Sequence, residues 1–406
     1  MKPSIVDKTL RADLCAGCGA CAGLAANQVS MAEDEAGFLR PVVSGEIDPQ
    51  TEEKIGQVCP GANIDGDANA TAGLENHVLW GPYVRVYKGF AENPLLRKQA
   101  SSGGVLSAVL QFLLETGEID FVVQTAANGS VPYANQTVHS TSADDVFEAA
   151  GSRYASSAPL AEIEKRLADG RPFAFVGKPC DVAALRSLSR HDPRVDKLVP
   201  YMISFFCAGV PSHRGAQQIL ERMGVSGEEL ASFRYRGNGW PGYATARRCD
   251  GSEATMSYHD SWGKVLSKHL PLRCKICPDG TGGAADIVCA DAWACDERGY
   301  PLFEEQDGIS LVLARTAKGQ DLLTAAQDAR AISMQESDIE EIAAMQPGQL
   351  KRKRLVASRL AALKLLGKRI PKMDGFTLVK AARQVGLIGN GRSFLGTLRR
   401  GLTGKL

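Results

Sequence analysis

The run Phe173-Ala174-Phe175-Val176-Gly177-Lys178-Pro179-Cys180 decides the fold class. Its unbroken apolar opening predicts a strand buried on both faces, as in a parallel sheet. Asp181 to Leu188 reads as the start of a helix, which puts Cys180 at a strand-to-helix turn. A second apolar run, Tyr201 to Phe206, ends at Cys207 and is broken by Gly209-Val210-Pro211-Ser212. Two thiols thus fall at the carboxyl ends of strands, where open α/β sheets bind ligands. Upstream, Val84-Arg85-Val86-Tyr87 and Ile119-Asp120-Phe121-Val122-Val123 read as strands around an apolar helix, Val105 to Leu114, stopped near Gly117. The expected core is α/β: a mixed sheet with flanking helices.

Eleven cysteines occupy this 406-residue chain, eight of them in two quartets. Cys15, Cys18 and Cys21 form C-x2-C-x2-C, and Cys59-Pro60 follows 38 positions after Cys21. Four thiolates as a triplet plus a remote Cys-Pro hold an iron–sulfur cluster. Gly17, Gly19 and Ala20 are small, as a turn wrapped on a cluster requires. Zinc takes paired C-x2-C units and fits this run poorly. The second quartet joins Cys274-x2-Cys277-Pro278 with Cys180 and Cys207. Each of these last two alone reads as a buried core cysteine; together the four suit a second 4Fe-4S site. Cys289 and Cys295 are alternative ligands, and Cys249, before the turn signal Asp250-Gly251, reads as a strand residue.

Charge is balanced overall and uneven along the chain. Residues 351–406 carry fifteen Lys or Arg against one acid, Asp374, a net of +14, which leaves 32 basic and 45 acidic residues elsewhere. Leu355 to Leu366 alternates apolar and basic residues at helical spacing. Such a tail can touch anionic lipid, an acidic redox partner or nucleic acid; the other reading is a helix that packs back on the acidic body. The N-terminus lacks the apolar segment of a signal peptide, no stretch approaches a bilayer span, and the cysteines favour metal ligation over disulfides. The expected location is the cytoplasm, with peripheral association at the inner membrane open through the tail.

Ser101-Ser102-Gly103-Gly104 precedes the Val105 helix and leaves backbone amides free, a seat for phosphate or a flavin edge, or else a simple cap. Gly237-Asn238-Gly239-Trp240-Pro241-Gly242 matches G-x-G-x-x-G only literally. No strand leads in, Pro241 interrupts it, and a strand pattern, Tyr243 to Cys249, follows where a helix should start. Gly61 to Gly73 reads as a loop or linker.

Several motifs occur in a telling order: Ala100-Ser101-Ser102-Gly103-Gly104, Gly151-Ser152-Arg153-Tyr154, Val176-Gly177-Lys178-Pro179-Cys180, Phe206-Cys207 and Arg273-Cys274-Lys275-Ile276-Cys277-Pro278-Asp279. Ala285-Asp286-Ile287, Asp291-Ala292-Trp293 and the run Gly308 to Thr316 follow. From about residue 82 to 345 the chain resembles the β-subunit family of coenzyme F420 hydrogenases and dehydrogenases. Its N-terminal extension is similar to that of longer members, the ferredoxin-dependent divinyl chlorophyllide vinyl reductases and hydroxymethyl chlorophyll a reductase. Cys289, where relatives often have glycine, and the basic tail depart from the pattern.

The resemblance implies a bound FAD and a 4Fe-4S cluster on the α/β core. Ser101, Ser102, Gly103, Gly104, Ser152, Arg153, Tyr154 and Lys178 are the implied cofactor contacts. It implies four parts: a ferredoxin-like 4Fe-4S module (1–80), a flavin-binding part (81–165), a second part with the other cluster (166–345), and a helical basic tail (346–406). Electrons would pass through two 4Fe-4S clusters to FAD and on to an organic acceptor, a deazaflavin, tetrapyrrole or biosynthetic intermediate. Two other readings stand beside this oxidoreductase: an electron-transfer subunit of a larger redox complex, and a reductase in a membrane-associated polysaccharide or pigment pathway. The expected partner is ferredoxin or another redox protein; an oligomer is compatible, and nucleic acid is not expected. Tyr154, His213 and His259 are proton-donor candidates by residue type alone, so the catalytic residue is unassigned.

Overall fold

The computed structural model describes residues 3–66, 69, 74–294, 296, 302 and 305–406. Eight strands form one sheet: β1 (Arg85–Ala91), β2 (Phe121–Ala127), β3 (Asn135–Ser140), β4 (Phe173–Gly177), β5 (Met202–Phe205), β6 (Ile287–Asp291), β7 (Ser310–Ala314) and β8 (Ile332–Glu336). Their spatial order is β8-β1-β7-β6-β5-β4-β2-β3. The four strands β2, β4, β5 and β6 run parallel. Antiparallel strands complete both sides. The expected mixed α/β core is therefore present.

The run that predicted a doubly buried strand is β4, buried at every position. Successive side chains point to opposite faces, so Phe173 and Phe175 enter one apolar layer with Val182 and Leu185. Ala174 and Val176 enter the other, with Val105, Val109 and Leu113. Helix α1 (Val105–Glu115) covers the second face, and α2 (Pro179–Ser189) the first. The alternation explains why no polar residue interrupts the run: either face would bury it.

The N-terminal segment folds as helices Ile5–Arg11, Ala20–Leu24 and Pro49–Val58 with a hairpin, Val29–Glu33 and Leu39–Val43. Val6, Ala22, Val29, Ile47 and Ile55 form its own small core. It lies tightly on the body: Leu160 donates its backbone N–H to the Cys18 carbonyl at 3.0 Å. A Cβ added to Gly23 would stand 2.3 Å from the Leu160 carbonyl oxygen.

Two sequence expectations change, and of the two readings of the tail one is found. Within the loop expected from Gly61 to Gly73, Asn63–Asp65 is a strand paired in parallel with Lys372–Asp374; positions 67, 68 and 70–73 lie outside the described residues. Cys249 is exposed in the turn after strand Ala244–Arg248, since that strand ends one residue earlier. The basic tail packs back on the body as helix α3 (Pro347–Leu365) and helices Leu378–Arg383 and Gly386–Leu402. No helix among the described residues is long and apolar enough to cross a membrane.

Candidate functional site

Cys15, Cys18, Cys21 and Cys59 line one cavity, whose other walls are apolar: Ile5, Val6, Leu10, Ile55 and Val58 among them. The chain wraps this cavity by two left-handed turns, Gly17 (φ 72°) and Gly19 (φ 84°), conformations that side chains resist. Cys59 closes the set from the end of helix Pro49–Val58. The amides of Gly61 and Ala62 point at its sulfur. Burial pushes the Cys18 thiol well up, and ionised Cys59 and the Asp181 carboxylate add to that. Four ionised thiolates there would need a compensating cationic core. Four thiols around a buried, apolar cavity with amides aimed at sulfur match the donor set of a cubane cluster.

The second quartet gathers at the carboxyl ends of β4 and β5. Cys180 sits in the first turn of α2, and Cys207 follows β5. Cys274 lies in the short helix Leu272–Lys275, with Cys277 just beyond it. Burial pushes the Cys207 thiol up to about 12, and ionised Cys274 and Cys277 raise it too. Cys180 is likewise raised well up, by burial, then by Asp181 and by Cys207. These thiols are thus close enough to act on one another. Among the described residues no three His, Cys, Asp or Glu side chains are spaced to hold a single metal ion. Cys289 lies in β6, opposite Phe205 and Val312, and burial alone pushes its thiol up to about 12. Cys295 lies outside the described residues.

Buried cations lie beside the second set. Arg273, 2 % exposed, donates from Nε and Nη2 to the Pro60 carbonyl at 3.1 and 3.0 Å and keeps its charge against Cys277, Cys180 and Cys274. Lys178 donates to Asp181 Oδ2 at 2.7 Å and to Ser157 Oγ at 3.0 Å. Burial opposes its charge, but the Asp181 carboxylate outweighs that and pushes the ammonium up. The basic tail contributes residues that its composition did not reveal. Gln349 Nε2 and Arg352 Nη1 donate to the Cys207 carbonyl at 2.9 and 3.0 Å, and Lys353 Nζ to that of Pro278 at 3.3 Å.

A cavity of about 280 Å³ opens beside this set, with Cys207 and Cys289 in its wall. Ser101, Ser102, Gly104, Ser152, Arg153, Tyr154 and Lys178 all line it. Several are already engaged by the fold. Arg153 donates to Asn135 Oδ1 and to the carbonyls of Pro132, Ala134 and Phe233, all within 3.0 Å. Ser102 Oγ donates toward the carbonyls of Ile309 (3.1 Å) and Ala290 (3.2 Å), and Ser101 Oγ accepts the Ser152 N–H. Gly103 stands behind the wall: an added Cβ would meet the Gly89 carbonyl oxygen and the Ser310 nitrogen, each at 2.5 Å. Its small size serves strand packing, and of the implied cofactor contacts it is the one that does not line the cavity.

What remains for a ligand is the start of α1, where Gly104 (φ 80°) is the cap and Leu106 and Ser107 reach the cavity. Helix-start amides favour an anion. Aromatic walls come from Tyr154, Trp262, Tyr258 and Trp293. Below them Arg236 is locked by Asp291 in two hydrogen bonds of 2.8 and 2.7 Å, and Trp240 Nε1 donates to the same carboxylate at 2.7 Å. Trp240 stacks on Trp293 at 4.6 Å. Amides for phosphate and aromatic faces for a planar ring fit a flavin nucleotide. The proton-donor candidates separate: Tyr154 faces the cavity, whereas His213 Nδ1 pairs with Glu33 at 2.7 Å and joins the N-terminal segment to the body. His259 lies in the helical turn His259–Val265. The G-x-G-x-x-G match leads into strand Ala244–Arg248, as its sequence context predicts.

Two family models match in sequence. The N-terminal model of the coenzyme F420 hydrogenase/dehydrogenase beta subunit covers residues 86–164, and the model of its C terminus covers residues 170–340. The chain belongs to this family. Within it, the chain is 23 % identical over 338 residues to the coenzyme F420-dependent sulfite reductase of Methanocaldococcus jannaschii, covering 80 % of this chain and 47 % of that protein. It is 25 % identical over 346 residues to one subunit of the F420H2 dehydrogenase of Methanosarcina mazei, covering 81 % and 86 %. It thus spans about half the length of the reductase and most of the dehydrogenase subunit. A chain of the F420-reducing NiFe hydrogenase complex from Methanosarcina barkeri shares the fold, with a TM-score of 0.58 at 20 % identity over 75 % of this chain and all of that one. These relatives are oxidoreductases by name, and the family is one of redox proteins.

Proposed function

We propose that this beta-subunit-family chain is the electron-transfer subunit of a larger redox complex. In this reading Cys15, Cys18, Cys21 and Cys59 hold one 4Fe-4S cluster, and Cys180, Cys207, Cys274 and Cys277 hold another. The 280 Å³ cavity takes FAD, its pyrophosphate at the start of α1. Bound clusters and flavin together supply exchange between one-electron and hydride chemistry. One observation carries the reading: Cys207 belongs to the second thiol set and to the wall of the cavity. No step between a ligand there and that set would need to cross solvent.

The residues of the chain then have definable tasks. Arg273 and Lys178 hold positive charge beside thiolates, which favours a reduced, more negative centre. Tyr154, Trp262 and Trp293 exclude water from the cavity. The fit of this chain to part of a larger sulfite reductase and to most of a dehydrogenase subunit favours a subunit role over a reductase with its own organic acceptor.

Anaerobic reconstitution with iron, sulfide and FAD tests it. About eight iron and one FAD per chain are expected, with rapid flavin reoxidation by a deazaflavin and capture of a stoichiometric redox partner. Iron near four, or flavin that does not stay bound, would overturn the cofactor assignment. Turnover of a small organic acceptor without any partner would favour the reductase.

A further inference from the structure

The last helix, Gly386–Leu402, presents an apolar face outward. Leu387 is 92 % exposed, Ile388 75 %, Leu395 63 % and Leu402 73 %. Ile388, Arg392, Leu395, Arg399 and Leu402 are spaced by four and three residues in turn, so they share one side of the helix. The other side is in use: Thr397 is buried, and the helix packs on α3. Val379, on the preceding helix Leu378–Arg383, is a further exposed aliphatic residue. From residue 375 to the end there are six Lys or Arg and no acid.

We propose that this face rests on an anionic membrane surface, with Leu387, Ile388, Leu395 and Leu402 at the acyl boundary and Arg392 and Arg399 on lipid phosphates. Charge complementarity selects the partner. A helix rich in Arg on one flank and aliphatic on the other lies in the interface plane of a bilayer, and anionic headgroups attract such segments. The aliphatic residues protrude from a convex helix, whereas protein interfaces concentrate their energy in Trp, Tyr and Arg and use Leu sparingly. The acidic body, with 45 acids against 32 bases before residue 351, is repelled by the same surface and turned away from it.

Co-sedimentation of the full reconstituted protein with vesicles tests the proposal. Binding is expected to phosphatidylglycerol-rich vesicles and not to pure phosphatidylcholine, with loss at high salt. A triple variant, Leu387→Ser, Ile388→Ser and Leu395→Ser, should weaken binding by about tenfold or more while iron and flavin content stay unchanged. Arg392→Ala with Arg399→Ala should weaken it and flatten its salt dependence. Absence of vesicle binding, or full binding by the triple variant, overturns the proposal. So does a solution dimer that the serine substitutions dissociate, which would make this face an interface between copies. Loss of binding to an acidic ferredoxin with unchanged vesicle binding would overturn it equally.

Discussion

Arg273 donates through both Nε and Nη2 to the carbonyl of Pro60, the residue directly after Cys59, while its charge lies among Cys277, Cys180 and Cys274. One buried guanidinium therefore ties the frames of the two thiol sets together. Replacing it with methionine removes a positive charge beside the second set. In the reconstituted protein, Arg273→Met should lower one cluster's midpoint potential by on the order of 60 mV, the equivalent of one charge-assisted hydrogen bond. A redox titration followed by electron paramagnetic resonance measures this, and unchanged potentials would remove Arg273 from any tuning role.

Truncation should divide the tail into two functional parts. α3 supplies Gln349, Arg352, Lys353 and Arg359 to the carbonyls around Cys207, Pro278 and Lys275. A chain ending at residue 350 should lose about half of its iron, whereas one ending at residue 385 should keep all of it. Iron analysis after desalting distinguishes the two. The two parts should differ because backbone carbonyls beside the thiols take their donors from α3 and not from the last helix.

Cavity shape can be probed without disturbing the sheet. Leu106→Trp should fill space at the start of α1 and lower flavin occupancy, with little change in melting temperature. Gly103→Val should instead destabilise the fold, since its side chain would collide with the Gly89 and Ser310 backbone. Flavin fluorescence paired with thermal melting separates these outcomes.

Asp291→Asn should leave Arg236, 1 % exposed, without its charged partner. Removing one member of a buried ion pair costs about 3–5 kcal/mol. Chemical denaturation of the variant should reveal a loss of that order. A loss under about 1 kcal/mol would place the pair among weakly coupled surface interactions.

Asp192 links acid stability to a helix start. Hydrogen bonds from the Arg194 side chain, then from its backbone N–H, hold the carboxyl below the usual carboxylate range. Its native pKa lies below the unfolded value, so its stabilisation is complete above about pH 4 and disappears as pH falls through the native pKa. Asp192→Ala should cost about 1 kcal/mol at neutral pH, and the difference from the parent should vanish in strong acid. A gap that persists unchanged below pH ~2 would contradict this account.

Much of the site was legible in the chain because close thiol spacing and strand burial leave local marks. The spacing from Cys15 to Cys21 and the unbroken run Phe173–Gly177 each report a requirement met within a few residues. The donors engaged by the fold were not legible. Arg153 and Ser102 look like ligand contacts in sequence, yet they bond to backbone carbonyls of other segments. Arg352 and Lys353 look like part of a solvated charge run, yet they reach the Cys207 and Pro278 carbonyls from some 145 and 75 residues away.

The α/β class, the C-x2-C-x2-C run and the Cys274-x2-Cys277 pair could be read from the chain alone, since side-chain periodicity and close spacing are properties of short segments. Folding alone put Cys207 in the wall of the large cavity, made Arg273 the link between the two thiol sets, and brought the basic tail to the carbonyls beside the second. A hydrogen-bond donor has no fixed role until folding brings it an acceptor. For these residues the acceptor is a backbone carbonyl, which carries no signature of residue type.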